Sequence, residues 1–154
     1  MNNIELVSII TPMFNSESTI ETTILSVKDQ SWQNWELILI DDKSEDKSVE
    51  IAKKYMKNDE RIKLIKLKNR QGAAQTRNIG ISKSNGRYIA FLDSDDFWDK
   101  DKLSKQLNFM RKNKYPFTFT GFEMQTEEGQ FLRYVKVPIK VNYKLIIRTN
   151  HIYC

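Results

Sequence analysis

Two short, nearly unbroken apolar runs, Leu6-Val7-Ser8-Ile9-Ile10 and Leu37-Ile38-Leu39-Ile40, constrain this chain more than any other feature. A strand with one wet face alternates apolar and polar residues. These runs do not alternate, so they predict strands buried on both faces, the situation of a parallel sheet covered by helices. Between them, Ile20, Ile24 and Val27 fall at helical spacing. Ser18 with Glu21 predicts a capping box at the start of that helix. After the second run, Ser44 predicts the cap of a helix whose inner face is Val49, Ala52 and Met56. A third strand is expected at about Ile62 to Leu67, then a helix from Gly72 to Ser82. A fourth strand, Tyr88 to Leu92, leads into a helix carrying Leu103, Leu107 and Met110 on one stripe. Four β-α units in series predict an α/β fold with a parallel sheet.

Beyond the fourth unit the pattern changes. Phe117 to Thr120 and Phe131 to Val137 read as strands around a turn at Thr126-Glu127-Glu128-Gly129, and Val141 to Arg148 as a last short helix. No linker, repeat or low-complexity tract interrupts the 154 residues, so one domain, 1–154, is expected.

Composition narrows the chemistry. Lys and Arg number 25 and Asp and Glu 20, a scattered net charge of +5 that lacks the dense basic stripe of a nucleic-acid binder. The KLIKLK stretch, Lys63 to Lys68, reads as a strand with one solvated side. The lone cysteine, Cys154, excludes an internal disulfide framework, and with His151 as the only histidine no His/Cys metal site is expected. A metal here would be a hard ion held by carboxylates. Met1 to Glu5 carry no signal-peptide pattern, and the apolar runs are too short to cross a bilayer, so a cytoplasmic chain is expected. The glycines at 72, 80, 86, 121 and 129 form neither G-x-G-x-x-G nor a P-loop.

In open parallel sheets ligands bind beyond the carboxyl ends of the strands. Those ends read Thr11-Pro12-Met13-Phe14-Asn15, Asp41-Asp42-Lys43-Ser44, Asn69-Arg70-Gln71-Gly72 and Asp93-Ser94-Asp95-Asp96. Five carboxylates are thus expected at one rim. Gathered like charges cost energy, so a divalent metal, or Arg70, Arg77 and Lys43, should compensate them. Singly, each segment reads as an ordinary cap or turn; the set is more specific.

Pro12 to Asn15, Asp41-Asp42 and Asp93-Ser94-Asp95-Asp96 resemble the family-2 glycosyltransferases of GT-A fold. So do Ser31-Trp32-Gln33-Asn34-Trp35-Glu36, Gly72-Ala73-Ala74-Gln75-Thr76-Arg77-Asn78 and Gly86 to Leu92. The resemblance spans about 4–125. It implies a Rossmann-like, mostly parallel sheet with helices on both faces, then a hairpin region; 4–125 would bind the donor and 126–154 would begin an incomplete acceptor half. It implies an inverting, metal-assisted transfer from a nucleotide-sugar, a UDP-sugar above all, to a glycan or lipid-linked acceptor in bacterial surface polysaccharide synthesis. Asp95 would ligate Mn2+ or Mg2+, with Asp93 toward the ribose or the metal's water. Pro12, Phe14 and Asp42 would line the base pocket, Asn15 and Ser94 would lie against the nucleotide, and Arg77 near the phosphates or the acids. Asp41 and Asp96 would stand behind the site or cap helices. The family's general base lies farther past the DxD than the 154 − 95 = 59 residues present here. The chain is therefore expected to be truncated and, alone, unable to transfer sugar to an acceptor. A homodimer and peripheral contact with the cytoplasmic face of the membrane are also expected. The alternative is a non-catalytic nucleotide-sugar-binding or interaction module.

Overall fold

A computed structural model of the protein describes residues 5–126, 128–139 and 141. The elements follow in the order β1 (Val7–Met13), α1 (Ile20–Lys28), β2 (Trp35–Asp41), α2 (Ser48–Asn58), β3 (Ile62–Lys66), α3 (Ala73–Ser82), β4 (Tyr88–Phe91), α4 (Lys102–Asn113), β5 (Phe122–Gln125) and β6 (Phe131–Val135). The first four strands form one parallel sheet in the order β3-β2-β1-β4, and β5 and β6 form a separate antiparallel pair. The chain gathers into two compact units, Met1–Leu107 and Asn108–Cys154.

The both-face burial expected of the two apolar runs is present: β2 is buried at every residue and β1 at all but one. Val7, Ile9, Leu37 and Leu39 pack with Ile20, Ile24 and Val27 of α1, Ala52 of α2, and Leu103 and Leu107 of α4. Ile10, Ile38 and Ile40 point to the other face, against Ile79 of α3. Strand order explains this division. The first two crossovers step from β1 to β2 to β3, whereas the third returns past β1 to β4. Crossovers of one hand running in opposite directions place their helices on opposite faces. On that second face Gly80 lets α3 approach closely, because a Cβ there would overlap Ile10 and lie 2.9 Å from Ile40 Cδ1.

β1 runs farther than its apolar core suggests, so Pro12 lies within the strand, opposite Ile40. Pairing with β4 ends at Ile10. Beyond it β1 has a sheet neighbour on one side only, where a residue without an N–H is tolerated.

The rim opposite the strand carboxyl ends is tied by Glu36. Its Oε1 accepts Ser8 Oγ at 2.5 Å and the Asn85 amide at 2.7 Å, and its Oε2 accepts Lys63 Nζ at 2.6 Å. Burial alone would push this carboxyl up, but the bonds from Lys63, Ser8 and Asn85 outweigh it and hold it near 2.

Several local expectations need correction. Ser18 and Glu21 form no capping box: Thr19 precedes α1 without a side-chain cap, and Glu21 instead accepts the Tyr55 hydroxyl at 2.6 Å and pairs with Lys54. Ser44 does not cap α2, which begins four residues later. Asp46 there accepts the Ser48 amide, and the Ser44 hydroxyl accepts the Asn15 amide. Met56 is exposed, whereas Val49 and Ala52 face the core and Tyr55 takes the place next to them against it. In the second unit the first hairpin strand is Phe122–Gln125, not Phe117 to Thr120, and its partner ends at Val135. A tight hairpin pairs the residues adjoining its turn. Here Thr126 donates to Gln130 O, and Gly129, at φ +81°, donates to Thr126 O. Of the helix expected over Val141 to Arg148, all but Val141 lies outside the described residues, as does His151.

Candidate functional site

The reversal of strand order puts the carboxyl ends of β1 and β4 side by side at a topological switch point, where open α/β sheets bind ligands. A cleft of about 240 Å³ opens there, lined by Pro12, Met13, Phe14, Asp42, Arg70, Gly72, Ala73, Thr76, Arg77, Asp93, Ser94 and Asp95. Seven of the eight candidate residues meet in it, drawn from the end of β1 and the loop after it, the loop after β2, α3 and the loop after β4, up to 83 residues apart (95 − 12). The exception is Asn15. At φ +48° it turns the chain away, and its Oδ1 accepts the Glu45 amide at 2.9 Å, so it joins the β1–α1 loop to the β2–α2 loop.

The expected five-carboxylate rim divides. Asp41, 1% exposed, accepts the Ser44 amide at 3.1 Å and holds a turn outside the cleft. Asp42 enters the cleft wall and also builds it. Its Oδ1 accepts the Gln71 amide at 2.6 Å and its Oδ2 the Gly72 amide at 2.8 Å, which fixes the β3–α3 loop. Gly72, at φ +82°, lets that loop turn into α3. Asp93 pairs with Arg77 at 2.5 Å, while Asp95 stays exposed. Asp96 does not line the cleft. Its carboxyl is raised to about 6, first by desolvation and then by the charges of Asp95 and Asp93, although the residue as a whole keeps solvent contact. Of the cations expected to offset these acids, Arg77 and Arg70 line the cleft and Lys43 does not.

Phe14 is 36% exposed, and one ring face carries the Arg70 guanidinium, 3.8 Å from the ring centre. Arg77 Nε is buried without a partner among the described residues. The cleft therefore combines an aromatic wall, two guanidinium groups and three carboxylates, a set suited to a ligand with an apolar ring and an anionic group. Among the described residues no three His, Cys, Asp or Glu side chains gather closely enough to hold a metal by themselves.

The hydroxyls that hold Ser94 in place were not legible in the sequence. Ser94 Oγ meets Ser16 Oγ at 2.8 Å, and its carbonyl accepts Thr19 Oγ1 at 2.8 Å and Thr23 Oγ1 at 3.0 Å. Thr19 and Thr23 are spaced i, i+4, so one face of α1 reaches the loop twice. That spacing was the available signal, but threonines at this interval are usually solvated or bonded within their own helix.

The sequence matches the description "Glycosyl transferase family 2" over residues 8–152. It is 43% identical over 150 residues to TuaG of Bacillus subtilis, a glycosyltransferase whose name places it in teichuronic acid biosynthesis; the match covers 97% of this chain and 60% of that one. It is 38% identical over 149 residues to WfgD of Escherichia coli, named a UDP-Glc:alpha-D-GlcNAc-diphosphoundecaprenol beta-1,3-glucosyltransferase, covering 97% and 58%. This chain thus spans about three-fifths of the length of these relatives. Among solved structures, Staphylococcus aureus TarS 1–349 in complex with UDP-GlcNAc superposes with a TM-score of 0.66 at 26% identity, over 72% of this chain and 32% of that one. A Pyrobaculum calidifontis mannosyltransferase, at 19% identity and TM-score 0.64 over 75% and 33%, shares the fold. With the parallel sheet, the switch-point cleft and a match across nearly its whole length, the chain belongs to glycosyl transferase family 2.

Proposed function

We propose that this chain forms the donor-binding part of an inverting glycosyltransferase. It would take a sugar from a nucleoside-diphosphate-sugar, a UDP-sugar above all, for transfer to a glycan or lipid-linked acceptor in surface polysaccharide synthesis. One observation carries the reading: Pro12, Phe14, Asp42, Arg77, Asp93, Ser94 and Asp95 converge on one cleft at the switch point. The name of WfgD, a UDP-Glc-dependent relative, and the UDP-GlcNAc complex of TarS support a uridine nucleotide as the donor's base and diphosphate.

Each residue has a task the donor sets. Phe14 and Pro12 offer apolar surface to the base, a role that requires Arg70 to leave the Phe14 ring or the base to use the ring's free side. Asp42 has lone pairs beyond those given to Gln71 and Gly72 and can accept from an imide N–H. Arg77, now neutralising Asp93, stands where a diphosphate would bring two negative charges. Asp93 and Asp95 suit Mn2+ or Mg2+: short carboxylate oxygens are hard ligands, and such ions are commonly held by one or two carboxylates with substrate phosphates completing the shell. Asp93, paired with Arg77, and the exposed Asp95 leave negative charge in the cleft that such an ion would balance. When bound, the ion would supply Lewis acidity for the departing diphosphate.

Isothermal titration tests this directly. UDP should bind with Mn2+ present and much more weakly with EDTA, and Asp95→Asn should remove most of that difference. Equal heats with and without metal would refute metal-assisted donor binding.

A further inference from the structure

A second groove in the first unit lies apart from the donor cleft. A groove of about 520 Å³ runs between α1 and the 97–100 segment, lined among others by Thr22, Leu25, Asp29, Phe97, Trp98 and Lys100, and it shares no residue with the donor cleft. We infer that this groove is a second carbohydrate site, binding a neutral sugar ring of a glycan away from the donor.

Four observations point there. First, the volume is that of a small-molecule pocket, not of a flat protein interface. Second, its apolar surface is open: the Phe97 ring is 53% exposed and the aliphatic Leu25 42%, whereas Lys102 already lies 3.7 Å over the Trp98 ring. A sugar presents a C–H face that stacks on such a ring and hydroxyls around its edge.

Third, Asp29 and Lys100 carry opposite charges on the two walls and form no ion pair with each other among the described residues, so these exposed side chains and the Thr22 hydroxyl are open to a ligand. An acceptor, a donor and a hydroxyl beside an aromatic face match a polyol, which offers both donors and acceptors. Anionic ligands are disfavoured at the Asp29 end of the groove, where α1 ends with Asp29 as its C-cap at the negative end of the dipole. Diphosphate recognition therefore stays with the other cleft. A membrane surface fits no better, since Asp29 stands among the exposed apolar groups.

Fourth, both walls are held rigidly. Thr23 Oγ1 donates to Asp96 O at 2.8 Å, Gln30 Nε2 to Asp99 O at 2.8 Å, and the Ser31 amide to Lys100 O at 2.9 Å. The Leu103 amide in turn donates to Gln30 Oε1 at 3.0 Å. Such a groove binds with a smaller backbone ordering cost than a mobile loop would. The segment that forms it leaves directly from Asp93-Ser94-Asp95, so a glycan seated there would keep the enzyme beside the polymer while the donor cleft turns over.

The choice of a sugar rests on membership of the glycosyltransferase family; the site itself does not depend on the donor reading. The test is nitrogen-15 NMR of the 154-residue chain titrated with methyl β-glucoside and with cellobiose, using glycerol as control polyol and UDP with Mn2+ in a separate arm. The saccharides should shift the amides of Thr22 to Asp29 and Phe97 to Lys100 and the Trp98 indole, with little effect from glycerol. Phe97→Ala and Asp29→Asn, both at exposed positions, should each weaken saccharide binding on the order of tenfold while keeping a native-like spectrum. Absence of shifts up to the saccharides' solubility, equal shifts from glycerol, or shifts only around Phe14, Arg77 and Asp95 would each overturn the proposal. Failure of UDP to bind would refute the donor reading and leave this result standing.

Discussion

Replacing Asp42 by alanine separates two roles that the sequence leaves merged. As an ordinary cap, Asp42 would contribute about 1 kcal/mol to stability. The structure gives it more to do: two backbone amides, of Gln71 and Gly72, donate to its two oxygens at 2.6 and 2.8 Å, and the residue is buried. A hydrogen bond to a charged group is worth about 1.5–3 kcal/mol, and losing the shared acceptor strands both donors. Partial access of water to the loop lowers the sum, so Asp42→Ala should cost about 2–4 kcal/mol. For a chain of this size that lowers the melting temperature by roughly 4–16 °C. The same loop carries Arg70 against Phe14, so UDP affinity should fall with stability, and amide exchange at Gln71 and Gly72 should quicken selectively. Melting curves, exchange and UDP titration on the one variant decide the matter. A loss near 1 kcal/mol with unchanged exchange would refute the anchoring argument, and unaltered UDP affinity would refute the role in the base pocket.

Glu36 predicts an acid dependence: its carboxyl is near 2 when folded against an ordinary value of 4.5. Its contribution is therefore full above pH 4.5 and lost as pH falls toward 2, about 1–3 kcal/mol in all. Glu36→Gln should flatten that slope in acid melts; an unchanged slope would show that the Ser8, Lys63 and Asn85 bonds are not formed. Gly80→Ala should destabilise by about 1–3 kcal/mol through overpacking against Ile10 and Ile40, read by urea denaturation, where a stabilised variant would contradict the close approach of α3. Arg77→Gln should weaken UDP binding on the order of tenfold by removing a charge-assisted partner and lower the melting temperature by a few degrees, because the Arg77–Asp93 pair is only about a third exposed or less. Full UDP affinity in that variant would exclude Arg77 from the diphosphate.

The order of elements, the parallel sheet and most of the cleft were legible in the sequence for definite reasons. Unbroken runs such as Leu37 to Ile40 have no solution except burial on both faces, and residues just past parallel strands have few places to go. Local sequence failed where competing partners come from distant segments. Ser18, Glu21 and Ser44 satisfy cap patterns, yet Glu21 finds Tyr55 and the Ser44 hydroxyl finds the Asn15 amide, 29 residues away. Side-chain chemistry alone named the acids of the rim; tertiary structure decided their fates, burying Asp41 under a turn, giving Asp42 two loop amides, pairing Asp93 with Arg77 and leaving Asp95 open. The hydroxyls of Thr19 and Thr23 and the groove beside Phe97 belong wholly to tertiary structure. They depend on how α1 packs against a segment some 70 residues later in the chain, a distance in space that no local pattern encodes.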